Sequence, residues 1–383
     1  MQALVSIIEC DKGNHLRYIT AGDHKFMFLH RDHLIFVNIS KEKNKHVEQL
    51  YLELQYIYSQ VISVVTLSII KKIFKTHHNY DLRNKLSGTE KLLTNIIKRS
   101  KNDFGMLLSC VNCYPLQSDV RDQISKLLIQ NINQFSYVLF ALLFIDNRLI
   151  SIIGPKKKPL HPIDIHLLLN VITGLDAPKV YAEFTCYPIC LPNFDNSAVM
   201  YANISYLDEK YRVCLILLTG LCDHEQSLNL NECRKRIQEK FLSNYSNIFN
   251  LKSSSTPVDD EALRTISVSE LKHFLYKDGK LFQYYATDYT LPYSISTDQK
   301  QRLFDIYQNM YHKLHNKTYS LRIIYYRQNY ETVLGWLTSE FEIYVTFSSL
   351  ITKDEIITTT NRLLEFMKRN RNRLFITSMP ILG

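Results

Sequence analysis

The chain has 383 residues, 46% of them apolar and 22% charged, and a formal net charge of +9. That length holds two or three domains, each able to bury a core. No two of the ten glycines form a G-x-G, so the phosphate-cradling loops of nucleotide-binding folds are excluded, and the longest apolar run, Val61–Ile70, is too short to cross a membrane.

Taken in chain order, QALVSIIE after Met1 reads as the end of a helix. HLRYITA, KFMFLHR and HLIFVNIS (15–40) then read as a three-strand meander. A helical run follows from Lys45 to Lys75. Leu50, Leu54, Ile57, Val61 and Val65 recur at helical spacing and give it one face for its own sheet. Tyr51, Tyr58, Ile62 and Ile69 point elsewhere. A helix apolar on more than one side is covered by something further, here a neighbouring domain or a partner subunit. NYDLRNKLSGTE (79–90) mixes turn formers, charges and two leucines. It reads as a helix junction or a polar contact surface, with Ser87 or Thr89 capping the next helix.

Residues 115–135 carry a helix into a second unit. SYVLFALLFI and RLISIIG form a hairpin turning at Asp146-Asn147. The helix LHPIDIHLLLNVI follows, with Pro162 in its first turn. The meander VYAEFTCYPICLP, VMYANISYLD and YRVCLILLTG comes next, then a helix near 227–245. SSSTPVDD (253–260) is a boundary. A third unit repeats the order: LKHFLYKDGKLFQYYA turning at Asp278-Gly279, the helix DQKQRLFDIYQNMYHKL, the strands YSLRIIYYR, ETVLGWLTS and FEIYVTFSS, and a helix near 353–370. A unit of hairpin, helix, meander and helix used repeatedly defines an α/β (α+β) chain of three modules, at 1–130, 131–255 and 261–383. The first module lacks its opening hairpin, which would leave a sheet edge unpaired.

The chemistry-bearing patterns are weak. Cys110-x-x-Cys113 has zinc-knuckle spacing without a matching second pair, since Cys186 and Cys190 fall in a strand. His161 and His166 flank Asp164 at a spacing that does not share a helix face, and Asp164 suits a helix N-terminus. No catalytic, metal or cofactor residue is assigned. The eight cysteines read as reduced thiols. The basic clusters Lys156–Lys158, Arg234–Arg236 and Arg369/Arg371/Arg373 are dispersed, which suits solvated faces or acidic lipid and argues against nucleic acid.

ALVSIIECDK, LYLELQYIYSQVIS, NYDLRNKLSGTE, LHPIDIHLLLN, PICLPNFD, ANISYL, LKHFLYK and RLFI fall in an order that resembles the Mon family of vacuolar fusion proteins. The resemblance implies three longin domains, each a mostly antiparallel five-stranded sheet flanked by helices. It implies pairing with a Ccz-type trilongin subunit, and in animals a third, propeller-bearing subunit. The pair would act as a guanine-nucleotide exchange factor for a Rab-seven-type GTPase, in Rab-five to Rab-seven conversion, lysosomal or vacuolar fusion and autophagosome maturation. Such a protein is cytosolic and peripheral on late-endosomal, lysosomal or vacuolar membranes. It is not an enzyme in the covalent sense and needs no cofactor. Family members carry an upstream disordered segment and a first hairpin, both absent from this sequence. The resemblance places the partner and GTPase contacts on the first longin domain. There we assign His33, Ile35, Val37, Tyr51, Tyr58, Ile62, Asn79, Asp81, Leu82, Arg83 and Gly88, with Lys156, Lys157 and Lys158 as a contact for an anionic or phosphoinositide membrane surface. The alternatives are a Hermansky–Pudlak-type trilongin exchange factor and a non-catalytic scaffold or Rab effector.

Overall fold

The computed structural model describes residues 16–41, 46–77, 80–174, 185–208, 210, 212–249, 270–316 and 321–382. The reading of QALVSIIE, the boundary SSSTPVDD and Asn79 lie outside the described residues.

The first unit comprises strands β1 (Tyr18–Ala21), β2 (His24–Arg31) and β3 (Leu34–Ser40), then helices α1 (Val47–Val65), α2 (Leu67–Thr76), α3 (Arg83–Leu86) and α4 (Glu90–Arg99). Its sheet runs β1-β2-β3. The helix expected to run unbroken from Lys45 to Lys75 is divided at Thr66, where α1 and α2 meet at 80°. Thr66 is buried and holds φ 58°, ψ 148°, a region that β-branched residues avoid. Its hydroxyl accepts a hydrogen bond from the Ile69 backbone and so starts α2.

The connecting segment supplies α5 (Phe104–Leu108), β4 (Val111–Asn112) and α6 (Ser118–Ile132). The sequence reading gives residues up to 130 to the first module. The structure instead divides this segment between the other two. Phe104, Leu107, Leu108 and Cys110 enter the core of the third unit, and β4 pairs in parallel with a strand of its sheet. Ile124, Leu128 and Ile132 of α6 enter the core of the second.

The second unit has β5 (Val138–Ile145), β6 (Arg148–Ile153), α7 (Pro162–Gly174), β7 (Thr185–Leu191), β8 (Asp195–Tyr206), β9 (Val213–Thr219) and α8 (His224–Phe249). Its strand order is β6-β5-β9-β8-β7. Asp146 and Asn147 both take positive φ, 47° and 63°, as a tight two-residue hairpin turn requires. The third unit has β10 (Leu271–Asp278), β11 (Gln283–Ala286), α9 (Thr297–Leu314), β12 (Ile323–Arg327), β13 (Glu331–Leu337), β14 (Phe341–Ser348), α10 (Lys353–Arg369) and α11 (Arg371–Leu374). Its sheet is β12-β13-β14-β10-β11-β4, six strands where five were expected, because β4 is added from the connecting segment.

The helix α1 answers why it is apolar on more than one side. Leu50 and Leu54 pack on Met27 and Leu29 of its own sheet. On another side Tyr56 is buried in the core of the second unit, with Leu52 against it. The neighbouring domain therefore covers much of the helix, and α1 lies along β7, the edge strand of the second sheet. A buried polar chain crosses the same junction. The Asn170 amide donates to Gln60 Oε1 at 2.7 Å and to the Leu92 carbonyl at 2.9 Å, and the Asn95 amide donates to Asn170 Oδ1 at 2.8 Å. Beside it, Arg99 donates to the His166 carbonyl and pairs with Asp103, while His166 Nε2 lies 2.9 Å from the Cys110 carbonyl. Desolvation of the ring holds His166 below the usual imidazole range.

A second tie joins the C-terminus to α6. Arg121 is 5% exposed, and its guanidinium donates to the carbonyls of Asn372, Phe375, Tyr114 and Arg373 at 2.8 to 3.1 Å.

Candidate partner-binding surface

The surface centres on β3. Leu34, Phe36 and Asn38 turn toward α1: Phe36 meets Tyr58 edge-on at 5.9 Å, and the Asn38 amide donates to Glu53 Oε2 at 2.9 Å. The alternate residues face outward. Ile35, Val37 and Ile39 are 43%, 36% and 58% exposed, an apolar row on a sheet where polar residues are the rule. The sequence assigned Ile35 and Val37. Ile39 lies in the strand His33–Ser40 that the sequence reading singled out as a whole, and it continues the same alternation.

The topology sets this strand apart from its counterparts. In the sibling units the counterparts of β3 pair with a hairpin strand, β9 with β5 and β14 with β10. Among the described residues β3 pairs with β2 alone.

His33 lies in the turn before β3 and stacks on Phe74 of α2 at 5.2 Å. Tyr51 and Tyr58 are half-buried and flank Arg31, whose guanidinium reaches the Tyr51 hydroxyl at 3.5 Å and lies 5.9 Å from the Tyr58 ring centre. Desolvation, helped by Asp32, raises the Tyr58 phenol above its ordinary range. Ile62 is not on this surface. It is fully buried with Val61, Val65, Ile70, Phe74 and Cys190, because the bend at Thr66 wraps α2 around it.

The segment after α2 joins the same side. Leu82 and Leu86 anchor on that cluster together with Leu34, Phe36 and Tyr58. Asp81 and Arg83 stay exposed and pair with each other at 2.6 Å; the Arg83 hydrogen bonds pull the Asp81 carboxyl down to about 2. Gly88 takes φ +85° with open space where a side chain would stand. Neither expected cap forms at α4. The Thr89 hydroxyl donates backward to the Leu86 carbonyl, so it closes the preceding turn instead. The structure thus brings together β3, the α1–α2 bend and the 80–88 segment.

Lys156–Lys158 lies elsewhere, in the exposed loop between β6 and α7, with the Lys158 ammonium 4.3 Å from the Phe194 ring centre. The remaining sequence candidates take structural places. The Cys110 thiol donates to the Leu108 carbonyl and the Cys113 thiol to Gln283 Oε1, both buried. Asp164 is buried and accepts from the Asn193 backbone and side-chain amide; desolvation raises its carboxyl above the usual range. Among the described residues no single helix is long and apolar enough to cross a membrane; the α1–α2 pair reaches the composition only across its 80° bend. An open, mixed-charge cleft of about 1160 Å³ that no sequence pattern announces lies between the first and third units, bordered by Lys25, Glu53, Lys101 and Arg302.

Three modules of this topology on one chain define a trilongin protein. Family profiles agree unit by unit: the first longin domain of FUZ, MON1 and HPS1 matches residues 1–96, the second 136–239 and the third 270–371. Among curated proteins, Protein SAND of Takifugu rubripes is 34% identical over 378 residues, 99% of this chain and 71% of that protein. Vacuolar fusion protein MON1 homolog A of Homo sapiens is 33% identical over 98% of this chain and 56% of its own length; homolog B is 32% identical over 99% and 71%. The chain belongs to the Mon family of vacuolar fusion proteins, and it spans between about half and three quarters of the length of these relatives.

Proposed function

We propose that this chain is the Mon-type subunit of a heterodimeric guanine-nucleotide exchange factor acting on a Rab-seven-type GTPase at late-endosomal, lysosomal or vacuolar membranes. What carries this reading is membership of the trilongin family together with the outward apolar row Ile35, Val37 and Ile39 on a strand that, among the described residues, pairs with β2 alone. A Ccz-type trilongin subunit covers that row with its own first domain. The GTPase then meets the composite surface, which includes the exposed Asp81 and Arg83.

Exchange of this kind needs no acid, base or nucleophile. The factor binds the empty GTPase better than the loaded one. A nucleotide held at picomolar affinity is worth about 16 kcal/mol, so the factor offsets much of that by gripping the segments that surround it. By reciprocity the nucleotide weakens the factor's own binding by the same ratio. Lys156 and Lys157 add weak attraction to an anionic or phosphoinositide surface, and a propeller-bearing subunit completes the assembly in animals.

The test is nucleotide release. The chain is co-purified with a Ccz-type subunit and mixed with a Rab-seven-type GTPase loaded with fluorescent GDP. Fast release by the pair, with little from either subunit alone, supports the reading. Binding only to the GTP-loaded form, without acceleration, identifies an effector or scaffold instead.

A further inference from the structure

Cys186 is the second residue of β7, and Cys222 lies in the connection between β9 and α8. Their Sγ atoms are 2.7 Å apart. That is nearer than unbonded sulfurs normally rest, and only a little beyond the disulfide bond length of about 2.05 Å.

The approach is built by the sheet. Cys186 stands opposite Asn203 of β8, which stands opposite Leu217 of β9. The buried Asn203 amide donates to the Leu217 carbonyl and to Thr219 Oγ1, and the Thr219 hydroxyl donates to the Leu221 carbonyl at 2.7 Å. These bonds fold the chain after β9 back across the end of the sheet and deliver Cys222 onto Cys186. The Asp223 carboxylate, accepting from the Gln226 backbone at 2.7 Å, fixes the next turn as the start of α8.

Access separates this pair from the other described thiols. Cys222 is exposed and Cys186 half-buried, whereas Cys110, Cys113, Cys190, Cys214 and Cys233 are all buried. We propose that Cys186 and Cys222 form a reversible intrachain disulfide by exchange with glutathione disulfide. Burial pushes the Cys186 thiol up to about 12, so the exposed Cys222 takes the first step. Its thiolate attacks one sulfur of the glutathione disulfide and releases one glutathione thiolate. Cys186 then gives its proton to water and attacks Cys222 Sγ, expelling the second glutathione. Two cysteine thiols and one glutathione disulfide become one protein disulfide and two glutathione thiols. The bond ties the head of α8 to β7, the strand that lies along α1. Oxidation thereby stiffens the second unit where it meets the first.

The experiment uses the full chain, equilibrated in glutathione buffers from fully reduced to oxidised, acid-quenched, alkylated and mapped as peptides without reduction. At the oxidised end the peptides bearing Cys186 and Cys222 are expected to be joined, dithiothreitol separates them, and the buried cysteines are alkylated only after denaturation. In Cys186→Ser, Cys222 is expected to carry glutathione instead of a protein link. Because Cys222 is exposed, Cys222→Ser folds normally and leaves Cys186 unlinked. Two free thiols in the wild-type chain at the oxidised end, or glutathione on Cys222 without the link, overturns the proposal.

Discussion

His273 is wholly buried, with Nδ1 3.0 Å from the Tyr307 hydroxyl and its ring stacked on Tyr289. Desolvation holds it down to about 3. The unfolded ring titrates near its ordinary value of about 6.5, so below that pH the unfolded chain binds a proton that the folded chain refuses. Stability is therefore complete above about pH 6.5 and declines toward pH 3, by about 1.4 kcal/mol per pH unit for this group alone. His312, also held down to about 3 by burial, adds the same trend. His273→Phe is expected to flatten the decline by that amount in urea titrations at pH 6 and pH 4. The Tyr307 hydroxyl keeps partners in the His273 carbonyl and Thr346, so the variant folds. An unchanged slope assigns the decline to other groups.

At the scale of elements, two features of the first unit make opposite demands. Thr66 holds a backbone region costly for a β-branched residue, about 1–3 kcal/mol, while its hydroxyl starts α2. Thr66→Val loses the hydroxyl and keeps the strain, and costs about 1 kcal/mol. Thr66→Gly relieves the strain, so thermal melts are expected to rank the glycine variant above valine; the reverse order places no strain at the bend. The β3 row makes the other demand. Ile35→Lys with Val37→Lys changes two outward side chains and is expected to leave stability within about 0.5 kcal/mol. Co-purification with a Ccz-type subunit is expected to be lost. Retention of the complex moves the interface elsewhere. The row itself was legible, because period-two alternation survives in the sequence of β3. The burial of Ile62 was not, because it depends on a bend set by the backbone of one residue, which no periodicity records.

At the scale of the whole molecule, the repeat of hairpin, helix, meander and helix was legible in the second and third units because each strand run is bounded by turn residues. The path of residues 104–132 was not. Their apolar pattern announces burial without naming the sheet that supplies it, and β4 is too short to carry a strand signature. The Arg121 clasp is equally silent in sequence, since its partners are four main-chain carbonyls, three of them some 250 residues away. Arg121→Met removes every donor and is expected to cost about 3 kcal/mol in urea unfolding. It is also expected to speed tryptic cleavage after Arg371 and Arg373. Unchanged cleavage means that the C-terminal turn is held by other contacts.

The division of the connecting segment has a consequence for the order in which the protein is made. Phe104, Leu107 and Leu108 leave the ribosome well before the residues that bury them, which run from Leu275 to Tyr344. A nascent chain therefore carries an unsatisfied apolar segment until the strands and helix of the third unit follow it, a standing target for chaperones. Of the three domains the third is synthesised after the other two and completes a structure begun near residue 104, so a ribosome stalled before β14 holds a chain in which that segment still waits for the sheet that buries it.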